Sequence, residues 1–303
     1  MSRTTQHFRR AFLVSACMAC LVAPLSAAPV FWDIRFDEDS IRDGINTTLV
    51  RDNLIAAANE WTQYIDAVPG VRVDVLVRFD TSIPRAGGRS FTSAYVGHNG
   101  QFEVWEQALS TKLRDGFDVN GSDPDVEIII NPNYAINTLW FDPNPGSPNP
   151  AIPSNRVDAY SVLMHELGHA LAFNGWRNEY TGAIGGFGST FDALTIVADD
   201  GFMYFVGEEA MRVYGGPVPL TWGNIYHVGN NVGFPGSDLL DDLMNGIIMR
   251  RGVRYEVSLL NLAIAYDSGV SVNPVFLVIP APTTLAIVSL GLAITSIRSR
   301  RNR

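Results

Sequence analysis

His165 and His169 stand four residues apart, with Glu166 directly after the first. On a helix, residues four apart share one face, so both imidazoles reach a single metal ion. A carboxylate beside the first ligand then serves as general base on a water that the metal activates. The run His165-Glu166-Leu167-Gly168-His169 is an HExxH motif, and its chemistry is metal-assisted hydrolysis. The plain alternative is a helix with two surface histidines and an ion-pairing glutamate. Two histidines leave such a site one ligand short, because a catalytic zinc takes three protein ligands and keeps a fourth position open. The chain has five histidines. His7 falls in the targeting segment, so His98 and His227 remain as partners. His227 is the favoured third ligand; Glu179, Glu208, Glu209 and Asp192 are the carboxylate alternatives. Tyr226 and Tyr255 are candidates to stabilise an oxyanion.

The elements that must position these residues are legible in the flanks. Asn155 or Ser154 is expected to cap the motif helix, with the negative charge of Asp158 in its first turn. Tyr160, Leu163, Met164, Leu167 and Leu171 repeat at three and four, a stripe that faces a core and leaves the histidines toward a cleft. Gly168 removes bulk beside the ligands. The helix is expected to end near Asn174-Gly175. Upstream, WDIRFD (32–37) reads as a strand and 50–64 as a helix with Leu54, Ala58, Trp61 and Ile65 on one face. Residues 71–79 alternate as a half-exposed strand, and 87–96 read as a further strand. Residues 101–114 read as a second amphipathic helix, and 125–131 as a buried or edge strand. Residues 142–155 form a Pro-rich loop before the motif helix, either a spacer or a cleft-side loop. The Gly185-Gly186-Phe187-Gly188 run lacks the context of a phosphate cradle and reads as surface loop. Residues 190–194 begin a second lobe, and 268–275 read as a linker.

His169-Ala170-Leu171-Ala172-Phe173, a long insertion, the lone His227 and then Asp242-Leu243-Met244-Asn245 resemble the leishmanolysin-type metzincins. In that family a third histidine comes from a distant segment shortly before a methionine turn. The resemblance therefore implies His227 as the third zinc ligand and Met244 as the hydrophobic floor beneath the metal. Plain core packing is the other reading of Met244. The resemblance also implies an α+β, zincin-like domain of two lobes with the HExxH helix at the cleft. It covers residues 155–270 and is weak before residue 120. The common metzincin pattern has a glycine and a histidine where this chain has Ala172 and Gly175, and Asn174-Gly175 would then make the turn.

The two ends speak to location. Residues 1–28 read as a secretory signal peptide, with Arg3, Arg9 and Arg10, an apolar run and small residues Ser26-Ala27-Ala28, to be removed by a signal peptidase. Both cysteines, Cys17 and Cys20, fall inside it, so thiolate chemistry and disulfides are excluded from the mature chain. A lipoprotein cut at Cys17 is disfavoured by the short apolar stretch before it. At the other end, Pro280-Ala281-Pro282, an apolar run and Arg298, Arg300, Arg301 and Arg303 resemble the PEP-CTERM sorting tails, with Pro-Ala-Pro in place of Pro-Glu-Pro. That resemblance implies processing by an exosortase and a transient membrane anchor; an ordinary C-terminal anchor is the alternative. Taking the seven terminal arginines from the 22 basic residues leaves 15 against 31 acidic ones, a net of −16. Such a balance argues against nucleic acid as a partner and for an extracellular protein.

The expected organisation is a signal peptide (1–28), a catalytic domain (29–272, upper lobe to 172) and a linker with sorting tail (273–303). The expected activity is that of an exported, surface-sorted zinc endopeptidase acting on protein or peptide. Two other readings stay open: an inert matrix or surface protein that keeps the site's fold, and a zinc amidase acting on cell-wall or matrix polymer.

Overall fold

Residues 72–79 alternate strictly, and the computed structural model, which describes residues 29–278, shows what the alternation does. In chain order the first half forms β1 (Phe31–Phe36), α1 (Thr47–Thr62), β2 (Arg72–Phe79), β3 (Ala86–Ser90), β4 (Ser93–His98), β5 (Glu103–Gln107) and α2 (Ala108–Asp115). It continues with β6 (Val126–Ile130), α3 (Pro132–Asn137), β7 (Leu139–Trp140), β8 (Val157–Asp158) and α4 (Ala159–Leu171). The main sheet runs β1-β2-β6-β3, with β1, β2 and β6 parallel and β3 antiparallel at the edge. Val73, Val75, Val77 and Phe79 of β2 point into the core with Val126, Ile128 and Ile130 of β6. On the other face Glu127 receives Arg78 from β2 at 2.7 Å and Arg89 from β3 at 2.6 Å. Cross-strand ion pairs of this kind hold the register.

Helices α1 and α4 pack on each other against the inner face of this sheet. Leu54, Ala58, Trp61 and Ile65 are all buried, as their spacing predicts. The Trp61 indole N–H donates to the Met164 carbonyl at 2.8 Å and fixes the motif helix on α1.

Residues 125–131 take the buried of the two readings, as a strand inside the sheet, but other expectations are corrected. Residues 87–96 are two strands in different sheets, because the chain leaves β6 after Ser90 and turns into a hairpin with β5. Residues 101–114 are a strand followed by a shorter helix: Val104 and Trp105 have the β-branched and aromatic side chains that suit a strand, and pairing with β4 overrides the helical spacing. The cap of α4 is Asp158, not Asn155 or Ser154, because Val157–Asp158 first pairs with β7. The helix ends at Leu171, short of Asn174-Gly175, where the N–H groups of Ala172 and Phe173 both donate to the Gly168 carbonyl.

The second half holds β9 (Phe187–Ser189), α5 (Thr190–Ala193), β10 (Thr195–Val197), β11 (Met203–Phe205), α6 (Glu208–Tyr214), β12 (Val218–Pro219) and α7 (Leu259–Asp267). Phe187–Ser189, expected as loop, pairs in parallel with β5. Between β12 and α7 lies a long irregular segment whose shape comes from side chains bonding main chain, as described below. Residues 268–275 are not a free spacer. Val270 and Val272 are buried, and Val272 bridges to Ile65. The fold is mixed α+β. Among the described residues no helix is long and apolar enough to cross a membrane. The signal-peptide and sorting-tail assignments, with His7 and Pro280-Ala281-Pro282, lie outside the described residues.

Candidate metal centre

Helix α4 reaches the cleft already held at its start. The Asp158 carboxylate accepts from the Ser161 N–H at 3.3 Å and the Ser161 hydroxyl at 2.7 Å, so two groups of the first turn are satisfied. Arg254 donates to both oxygens of Asp158, at 2.9 and 3.0 Å, spans to Asp142 at 2.9 Å, and lies over the Tyr160 ring. All three charged side chains are buried or nearly so. A buried network of this kind keeps one helix register only.

His165 and His169 leave α4 on one face, and His227 arrives from the irregular segment opposite. Their Nε2 atoms form a triangle with sides of 3.1, 3.0 and 3.1 Å. The Nδ1 atoms each meet a main-chain carbonyl: Leu243 for His165 at 2.7 Å, Phe173 for His169 at 2.6 Å, and Asn224 for His227 at 3.2 Å. A carbonyl can only accept, so each Nδ1 carries the proton and each Nε2 presents a bare lone pair. Three lone pairs at 3 Å repel one another, and a cation between them turns that repulsion into ligation. The geometry fits zinc. The triangle's centre is about 1.8 Å from each nitrogen, close to the ~2.0–2.1 Å of zinc–imidazole bonds, so the three nitrogens would hold a zinc ion. The carbonyls are the outer partners that fix ring orientation at such sites.

Burial agrees with this reading. His165 is pushed down to about 3 by desolvation and by His169, and His169 to about 4 by desolvation. His227 is lowered well below its ordinary value by desolvation and by the other two rings. Neutral imidazoles are what a metal requires. Burial pushes Glu166 up to about 8 against the opposing pull of the Gly88 N–H. A bound dication lowers that value, since it favours the carboxylate.

The loop that carries His227 is built by polar side chains rather than by a helix. Thr221 Oγ donates to the carbonyls of Val228 and Gly229 at 3.0 and 2.6 Å. The buried Asn230 amide accepts from the Trp222 N–H and donates to the Leu220 and Pro235 carbonyls. Val228 then exchanges main-chain bonds with the Met244 turn: its N–H reaches Met244 O at 2.9 Å and its carbonyl accepts from Gly246 at 3.3 Å. Asp242 shapes that turn by accepting from the Met244 N–H at 2.8 Å. Ser258 and Asn261, at the start of α7, hold Asp242 in place. Met244 is fully buried, and a Cβ built on Gly168 would lie 2.6 Å from its sulfur. The methionine thus sits directly under the ligand helix, and the glycine makes room for it.

The remaining expected residues lie elsewhere. His98 is exposed on β4 and accepts from Gly100. Asp192 closes a capping box with Ser189 and accepts from the Trp176 N–H, which fully occupies it. Glu179, Glu208 and Glu209 are not in the cluster, and Glu209 pairs with Arg212. Tyr226 is turned away from the cleft: its hydroxyl accepts from the Arg177 N–H and bonds Asp192. Tyr255 likewise receives the Arg250 N–H. The Pro-rich loop lines a different cavity with Pro153 and Asn155, not the metal cleft.

The cleft, of about 330 Å³, is walled by Gly87 and Gly88 of β3 and by Tyr134 of α3, besides the metal-site residues. Gly88 is required there, since a Cβ would collide with the Glu166 carbonyl. Tyr134 escaped the sequence reading; its signal was the Asn131-Pro132 helix start directly after a strand. Comparison of the chain with protein families, with curated proteins and with solved structures found no match in any of the three.

Proposed function

We propose that the protein is an exported, zinc-dependent endopeptidase with a zincin-like arrangement of helix and cleft. The observation that carries this reading is the triangle of bare Nε2 atoms with Glu166 in the same cleft. His165, His169 and His227 would hold the ion. Zinc there supplies Lewis acidity, acidifying water and polarising the scissile carbonyl.

The chain's own residues do the rest. Glu166 takes the proton of the attacking water and delivers it to the leaving amine. The Gly88 N–H steadies the charged form of Glu166, the form that accepts the proton and is restored once the amine has taken it. Met244 and Gly168 keep the ligand helix at a fixed height under the cleft. A structural zinc site needs no carboxylate poised in a cleft, and this one has it. Export and surface sorting rest on the two terminal segments, whose signal-like and tail-like sequences bracket the domain.

The test is hydrolysis of a denatured general protein substrate by the purified, zinc-supplied protein beside Glu166→Ala. The expected outcome is cleavage by the parent, a loss of roughly 10²–10⁴-fold in the variant, and unchanged zinc content. Equal cleavage by both would end the assignment.

A further inference from the structure

The metal cleft is not the largest cavity of the described residues. A groove of about 540 Å³ lies at the far end of β3, walled by Trp105, Trp176 and Phe187. Trp176 and Phe187 are 44% and 50% exposed, and their rings meet edge-on at 5.3 Å. Tyr95, 57% exposed, meets Trp105 at 5.4 Å beside them. Soluble proteins seldom gather so much exposed aromatic surface in one place without a ligand for it. The charged groups of the lining are engaged: Arg89 pairs with Glu127 at 2.6 Å, and Glu103 accepts the Trp105 indole N–H at 3.3 Å.

Strand β3 joins this groove to the metal. Arg85 accepts from Asn131, and Phe91 donates to Asp125, so the odd-numbered residues face β6. Ala86 and Gly88 therefore turn their main-chain groups to the cleft side, where the Gly88 N–H meets Glu166 and the Ala86 N–H and both carbonyls face the opening. Gly88 stands at Glu166, and Ser90 already lines the groove. An extended peptide pairing with that edge advances about 3.3 Å per residue. It would reach the groove some two to five residues from the one opposite Gly88.

We infer that the Trp105–Trp176–Phe187 groove is a substrate subsite that takes a large apolar or aromatic side chain two to five residues from the scissile bond. This rests on the hydrolytic reading above for the words "scissile bond", but not for the binding itself. The occupant is a peptide side chain because the groove continues a free strand edge, which offers main-chain hydrogen bonds that only an extended polypeptide matches in register.

The test steps one Phe through a Ser/Ala decapeptide host and uses two readouts on the zinc-loaded protein. Cleavage positions are mapped by mass spectrometry, and peptide binding to Glu166→Ala is followed by fluorescence anisotropy. The expected results are cuts at one fixed distance from the Phe and binding at least about tenfold tighter than for the Phe-free host, an advantage worth about 1.4 kcal/mol. In Trp176→Ala and Phe187→Ala, drawn from different elements and checked for zinc content, the advantage should fall below about threefold. A preference that survives both variants, or none in the parent, overturns the assignment. So does a β-linked glucose hexamer that binds through these rings while the peptides show no preference. A parent that cuts nothing while Glu166→Ala keeps the Phe preference would sink the hydrolytic reading and leave the subsite standing.

Discussion

Helix α4 and the 220–247 segment bring imidazoles to the same cluster by opposite means. His165 and His169 ride on a regular helix whose inner face is packed against α1 and the main sheet. His227 rides on a loop whose shape comes from Thr221, Asn230 and Asp242 bonding main chain. The helix buries apolar surface and would hold its form without the metal. The loop also buries apolar side chains, among them Leu220, Ile225, Val228, Leu243 and Met244, but its course is set by satisfied polar groups. One half of the site is thus fixed by packing and the other by a hydrogen-bond frame. They meet where Met244 touches Gly168 and where His165 donates to Leu243.

The largest expected effect breaks the loop side. His227→Ala should weaken zinc binding by at least about 100-fold, because losing a ligand exceeds the 10–100-fold typical of losing an outer partner. The metal-free fold should survive it, with unchanged far-UV circular dichroism.

A pH titration of metal-free protein addresses both halves together. The histidines bind protons less readily folded than unfolded, so stability falls as pH drops from about 6.5, their ordinary value, toward 3–4. Glu166 behaves in the opposite sense. Its folded value near 8 exceeds the ordinary 4.5, so its contribution is complete below pH 4.5 and is lost as pH rises to 8. The two trends place the maximum contribution of the site near pH 6.5. Glu166→Gln should abolish the decline above it, read as urea midpoints across pH.

Breaking the helix side comes next. Arg254→Met leaves Asp158 and Asp142 buried without their cation and should cost about 3–5 kcal/mol in urea unfolding. Zinc should restore part of that by mass action.

The contact between the halves is worth less. Gly168→Ala overpacks against Met244 and should cost about 1–3 kcal/mol. Adding Met244→Ala should relieve part of that clash. A double-mutant cycle with no coupling would show that the methionine is not seated under this helix.

These differences in construction explain what the sequence disclosed. The α4 stripe and the β2 alternation are local periodicities, and both appear as expected. The 101–114 stretch has helical spacing throughout, and its first part becomes a strand only because β4 lies alongside. The cap of α4 was misplaced because Asp158 is selected by Arg254, 96 residues away, not by its neighbours. His227 was reached by elimination among few histidines and by resemblance, and the structure brings it to the other two rings. Tyr226 and Tyr255 were chosen for proximity in sequence, but hydrogen bonding turns both hydroxyls away from the cleft. Tyr134 and the Gly87-Gly88 wall join the site through sheet topology, so the Asn131-Pro132 helix start and the strand at Gly87 mark elements without placing them at the cleft.

The most direct measurement is zinc stoichiometry and affinity, by chelator competition, for the parent, His227→Ala and Glu166→Ala. The account predicts one ion per chain, lost on His227→Ala and kept on Glu166→Ala. A parent that binds no zinc, or a His227→Ala variant that binds it as tightly as the parent, would contradict the account.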